Sequence, residues 1–146
     1  MPASILDVAK YITKSSGEMS AMKLQKLAYY CQAWHMVWDD QELFAEDFQA
    51  WANGPVAPSL YEIHRGMFQV NPELFKKSGK VSNLSKDAKN SIDKVLSFYG
   101  TKSAFWLSNL THQEDPWKNA RDGLPAGASS TAIIPKSSMA EYYGSL

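Results

Sequence analysis

His112-Gln113-Glu114-Asp115 sets an imidazole beside two carboxylates within four residues. It is the one stretch of this sequence whose residue types invite acid/base chemistry. A neighbouring anion raises an imidazole pKa towards neutrality, where a general acid or base works best. A hydrolase or transferase built on His112, Glu114 and Asp115 is therefore one reading. His-x-Glu is also half of the zinc-deaminase signature, but the Pro-Cys-x-x-Cys half is absent. The simpler reading is a helix end running into the next N-cap, with Asp115 satisfying amides and Pro116 in the first turn. The other histidines, His35 and His64, stand far from His112 in sequence, without the close spacing of metal ligands. His35 falls in an aromatic run and reads as a core or interface histidine. His64 and Arg65 read as the exposed side of a helix. Cys31 is the single cysteine, so an intrachain disulfide and a thiolate zinc cluster are excluded. Its neighbours Tyr29, Tyr30, Ala33 and Trp34 mark it as buried filling rather than a reactive thiol. No nucleophile elbow, phosphate-binding loop or dinucleotide fingerprint occurs. Neither a cofactor nor a metal is expected.

The aromatic residues carry more information. Five tryptophans in 146 residues is a high count for one small domain. Lys23, Lys26, Tyr30 and Trp34 stand at successive turns of one helical pattern, a mixture common to interface hot spots and to cores. Trp51 and Trp106 read as core. Nucleic-acid binding through Lys23, Lys26, Lys76, Lys77 and Lys80 is a further alternative. It is disfavoured because fifteen basic residues balance fifteen acidic ones, whereas phosphate binding draws on a surplus of cations. The same neutrality gives little colloidal repulsion, so a homo-oligomer or a standing protein partner is plausible.

These residues need a frame, and the periodicity supplies a mainly α one. The length fits a single domain over residues 1–146. Ser4 to Asp7 has capping-box spacing and opens a helix that Gly17 stops. A central helix of about residues 20–38 carries Leu24, Leu27, Ala28, Cys31, Trp34, Val37 and Trp38. A small β-hairpin is expected near residues 43–51, Leu43-Phe44 pairing with 48–51 around 45–47. Gly54-Pro55 and Pro58 introduce a helix through Tyr61 and His64. Residues 71–85 read as a surface loop with a turn of helix and an edge strand near Val81. Helices follow from Ser85 to Tyr99 and from about Thr101 or Ser103. A short one opens at Asp115 as N-cap, and a last one opens at a capping box on Ser138. Residues 123–130, rich in Gly, Ala and Ser, read as a mobile loop. No run approaches the ~20 apolar residues of a membrane span. Met1-Pro2-Ala3-Ser4 does not open like a secretory leader, so the expected compartment is the cytoplasm.

Three blocks of the sequence resemble a known family. Residues 22–35 (MKLQKLAYYCQAWH) are similar to the signature helix of the SocA-like antitoxins, the Panacea domain. Residues 48–61 (FQAWANGPVAPSLY) resemble its second block and residues 111–121 (THQEDPWKNAR) its third, in matching order and spacing. The resemblance implies a compact helical domain of bacteria and their phages. It implies an antitoxin that neutralises a toxic protein encoded beside it, generally by direct binding. The founding member instead delivers its toxin to the ClpXP protease, so a protease of that type is a second implied partner. Within the blocks, Lys23, Lys26, Tyr30, Trp34, His112, Trp117 and Arg121 are candidates for partner binding. Trp51, Gly54, Pro55, Tyr61 and Pro116 are candidates for the structural motif. Trp117 and Arg121, four apart, share a helix face, so Arg121 has Trp117, Glu114 or Asp115 within reach. On this reading the chain is not an enzyme.

Overall fold

The computed structural model describes residues 3–146; Met1 and Pro2, the start of the leader comparison, lie outside the described residues. Helix α1 (Ile5–Ser16) begins at a full capping box. Ser4 Oγ accepts from Asp7 N at 3.3 Å, and Asp7 Oδ2 accepts from Ser4 N at 2.9 Å. Gly17 ends the helix at φ 83°, a left-handed value that favours glycine. A two-residue strand β1 (Met19–Ser20) then leads into α2 (Ala21–Asp39), where Ser20 Oγ caps Lys23 N at 3.1 Å.

Helix α2 is the axis of the fold. It packs against α1, against α4 (Lys86–Tyr99) and α5 (Ala104–Gln113), and against α7 (Lys136–Gly144). Surrounded this way, it buries polar as well as apolar positions, including Gln25, Lys26, Gln32 and His35. Each buried polar group then needs a partner, since an unsatisfied one costs about 1–3 kcal/mol. Gln32 meets that need by donating Nε2 to Phe44 O at 2.7 Å and accepting from Leu43 N at 2.8 Å. The backbone of 43–44 is thus held by a side chain, which corrects the hairpin expected over 43–51. The hairpin lies one segment later, β2 (Gln49–Trp51) against β3 (Gly54–Val56), antiparallel, with Trp51 opposite Gly54. The other edge of β2 is covered by residues 132–134, through Ala50 N to Ala132 O and Ile134 N to Phe48 O, both 2.8 Å.

Further differences have local causes. No strand forms at Val81: residues 72–75 and 81–83 make 3-10 turns, and β1 pairs instead with β4 (Gln69–Val70). Helix α3 (Pro58–His64) ends on a buried His64, whose Nε2 lies 3.0 Å from Gln25 Nε2 on α2, so His64 is not on the exposed side expected for it, whereas Arg65 is exposed. Helix α6 (Asp115–Ala120) has Glu114 rather than Asp115 at its extended N-cap position, and the Glu114 side chain, turned into the core, makes no cap hydrogen bond. Helix α7 starts two residues before Ser138, after Pro135. No helix among the described residues is long and apolar enough to cross a membrane.

Candidate functional site

The three sequence blocks meet at the β2–β3 turn. From α2, Lys26 Nζ donates to Pro55 O at 3.2 Å, while Gln25 clamps Ala57 through N to Oε1 at 2.9 Å and Nε2 to O at 3.3 Å. From α5, Ser108 Oγ donates to Asn53 O. From α6, Trp117 Nε1 donates to Trp51 O at 2.8 Å. Arg121, just beyond α6, donates Nη1 to Ala50 O at 2.9 Å. Trp51 packs edge-on to Tyr61, with centroids 5.0 Å apart. The turn is short because Gly54 adopts φ 118° and Pro55 fixes the next angle.

Electrically this hub is unusual. Lys26 is wholly buried, no carboxylate pairs with it among the described residues, and burial pushes its ammonium down to about 7. His112 stacks on Trp117 at 4.1 Å, and Trp117 carries the Arg121 guanidinium 4.7 Å from its centroid. Burial, then the Lys26 and Arg121 charges, lower the His112 pKa, against a raising hydrogen bond to the Ala52 backbone. The imidazole is therefore neutral near pH 7, and its Nε2 is buried without a hydrogen-bond partner.

Glu114 faces elsewhere. Its Oε1 accepts from Tyr30 Oη at 2.7 Å and from Tyr143 Oη at 2.6 Å, and Tyr143 Oη also lies 3.2 Å from Tyr29 Oη. Burial raises the Glu114 pKa while the two phenols lower it. Asp115 is exposed. The three members of the acid/base cluster thus face a Trp ring, a tyrosine pair and solvent. Among the described residues no group of His, Cys, Asp or Glu side chains is arranged to hold a metal ion.

The structure consequently divides the residues singled out in the sequence. Lys26 and Tyr30 are fully buried, and Trp117 and Arg121 are buried. Their side chains offer no surface to a partner and instead lock the hairpin. Arg121 does not reach Glu114 or Asp115. Its Nη2 gathers Pro125 O and Ala128 O, at 2.9 and 2.5 Å, which ties down the loop over 123–130. Lys23 is pinned by its Nζ to Gly100 O at 2.7 Å. With Lys26 inaccessible and Lys23 engaged, the proposed nucleic-acid set reduces to the exposed Lys76, Lys77 and Lys80. Cys31 is buried and its thiol is pushed far up by burial.

Of the singled-out residues, Trp34 reaches the surface, and it leads to a feature that sequence reasoning missed. Half-buried, it donates Nε1 to Tyr99 Oη at 3.0 Å and stacks on Trp38 at 5.5 Å. Lys94 Nζ lies 4.9 Å from the Trp38 centroid. Further along, Lys102 Nζ bridges Phe98 at 5.7 Å and Trp106 at 4.8 Å. Trp106, expected in the core, is 39% exposed, beside Phe105 at 75% and Phe98 at 57%. A shallow, mostly apolar groove of about 380 Å³ runs between Trp34, Trp38, Val95, Phe98 and Leu146. The signal was present in the sequence, since Lys94, Phe98 and Lys102 recur every four residues.

A family model for the antitoxin SocA-like Panacea domain matches residues 24–118, from the first turns of α2 into α6, and so takes in the β2–β3 turn with Lys26 and Trp117. No curated protein and no solved structure matches the chain. The chain belongs to the SocA-like antitoxin family and carries its Panacea domain.

Proposed function

We propose that this protein is an antitoxin that neutralises a toxin protein, encoded by an adjacent gene, through direct binding in the bacterial cytoplasm. The family supports a toxin partner, and one observation carries the mode of action: the aromatic strip from Trp38 to Trp106, in which Trp38, Phe98, Phe105 and Trp106 are all exposed. Large aromatic side chains beside cations are the residue types on which interface energy concentrates. Contiguous exposed apolar patches mark interaction sites. The hub has a different task, holding the helices that carry the strip. The protein makes and breaks no covalent bonds on this reading, and the separate surroundings of His112, Glu114 and Asp115 favour it.

Co-expression with the product of the neighbouring reading frame tests the proposal. Growth arrest by that product alone, relieved by this chain together with co-purification of the two, supports it. A neighbour that is harmless alone and does not co-purify refutes it. Relief that requires ClpXP and lowers the toxin level would assign the adaptor route instead. Turnover of a small molecule by the purified protein, lost in His112→Ala with the fold retained, would establish the enzyme reading.

A further inference from the structure

The strip has a charge pattern as well as an apolar one. Lys94, on the last turns of α4, and Lys102, in the turn that follows it, flank Phe98, and neither has a carboxylate partner among the described residues. Two exposed acidic groups nearby have other partners: Asp93 Oδ1 accepts from Tyr11 Oη at 2.9 Å, and Asp39 lies 3.4 Å from His35 Nδ1. The result is an apolar groove lined in part by Lys94, with Lys102 against the Phe98 ring at its edge, on a chain whose formal charge is zero.

We infer that this groove receives an acidic amphipathic helix of the toxin, its apolar side against Trp38 and Phe98 and carboxylates on Lys94 and Lys102. The inference rests on the antitoxin reading and adds the chemistry of the partner's docking segment. Helix-in-groove recognition reads apolar anchors at helical spacing, and complementary charge selects among such helices. Single-stranded nucleic acid would use the same residue types, but it stacks bases on open ring faces. Here Lys94 covers one face of the Trp34–Trp38 stack, and Lys102 covers Trp106. The side chains are thus arranged to meet carboxylates at the rim rather than bases on the rings.

The test titrates the full chain with three 18-residue helical peptides that share one leucine face. They carry Glu, Gln or Lys at the positions flanking that face, and binding is followed by tryptophan fluorescence. A single-stranded DNA 12-mer is titrated alongside. The Glu peptide is expected to bind about tenfold more tightly than the Gln peptide, from two partly exposed ion pairs, and the Lys peptide more weakly still. The double substitution Lys94→Glu with Lys102→Glu should invert that order, and Lys94→Gln with Lys102→Gln should level it, with unchanged circular dichroism. Equal affinity for the three peptides, no binding of any, or preference for the oligonucleotide would overturn the inference. So would self-association of the chain that Phe98→Ser abolishes, since a second copy would then cover the groove. If the Lys94→Glu/Lys102→Glu protein still relieves and co-purifies with the toxin, the antitoxin reading stands while this inference falls.

Discussion

Lys26 lies directly beneath Gly54: a Cβ on that glycine would stand 2.5 Å from Lys26 Cε and 3.0 Å from Thr111 Oγ1. A lysine in the signature helix therefore dictates a glycine in the second block, and a threonine opening the third block closes the same space. The three blocks form one packing unit. Gly54→Ala meets both this clash and a φ of 118°, and should destabilise the protein by roughly 2–4 kcal/mol in urea denaturation. Gly123→Ala, at φ 82° in open space, should cost only about 1 kcal/mol. Equal losses would show that backbone angle alone matters and that Lys26 is no constraint.

The buried lysine also makes stability depend on pH. With its pKa at about 7 in the fold and 10.5 when unfolded, Lys26 binds fewer protons in the native state between those values. Raising pH through that window therefore stabilises the fold, by roughly 3 kcal/mol or more. Above about pH 10 the trend reverses, because buried Tyr29, Tyr30 and Tyr143 have raised pKa values and resist the ionisation open to the unfolded chain. Thermal melts should rise from pH 7 to about 9.5 in the parent protein. Lys26→Met should flatten that rise and melt higher at pH 7, since an apolar side chain avoids the burial of charge. An unchanged slope in Lys26→Met would place the titration elsewhere.

Tyr143 ties α7 to the rest of the molecule through Glu114. Tyr143→Phe leaves a buried carboxylate with one phenol donor instead of two and should cost about 1–3 kcal/mol. Tyr142→Phe should stay within about 0.5 kcal/mol, because that ring is only partly buried and Glu114 accepts from Tyr143 rather than from it. Chemical denaturation of the two variants separates the cases, and similar losses would argue against the Glu114 network.

Arg121 holds two strands of chain at once, β2 through Ala50 O and the following loop through Pro125 O and Ala128 O. Arg121→Lys offers one point donor in place of a planar fork and should not substitute for it. Limited proteolysis should cut Arg121→Lys between residues 122 and 130 several-fold faster than the parent. Equal rates would mean that the loop is held by other contacts.

How much of this was legible in the sequence depends on where the partners lie. Ser4, Ser20, Ser85 and Ser103 announce helices because a cap is satisfied within three residues. The mainly helical class and the central position of α2 follow from such local signals. The hairpin at 43–51 was misplaced because Gln32, eleven residues away, satisfies Leu43 from inside a helix. The strand at Val81 failed for a related reason: Asp7 Oδ1 accepts from Lys80 N at 2.8 Å and fixes that backbone from α1. Among the candidate residues, the family blocks were readable, but burial was not. Lys26 looks like a surface lysine until Gly54 is seen to close over it, and Trp106 looks like core until α5 is seen to turn it outward.

The most direct test of the account is hydrogen–deuterium exchange of the protein alone and in complex with the toxin encoded beside it. The account predicts new protection confined to the C-terminal part of α2 and to residues 94–106, with the β2–β3 hub unchanged. Protection centred on the hub, or none within residues 94–106, would contradict it.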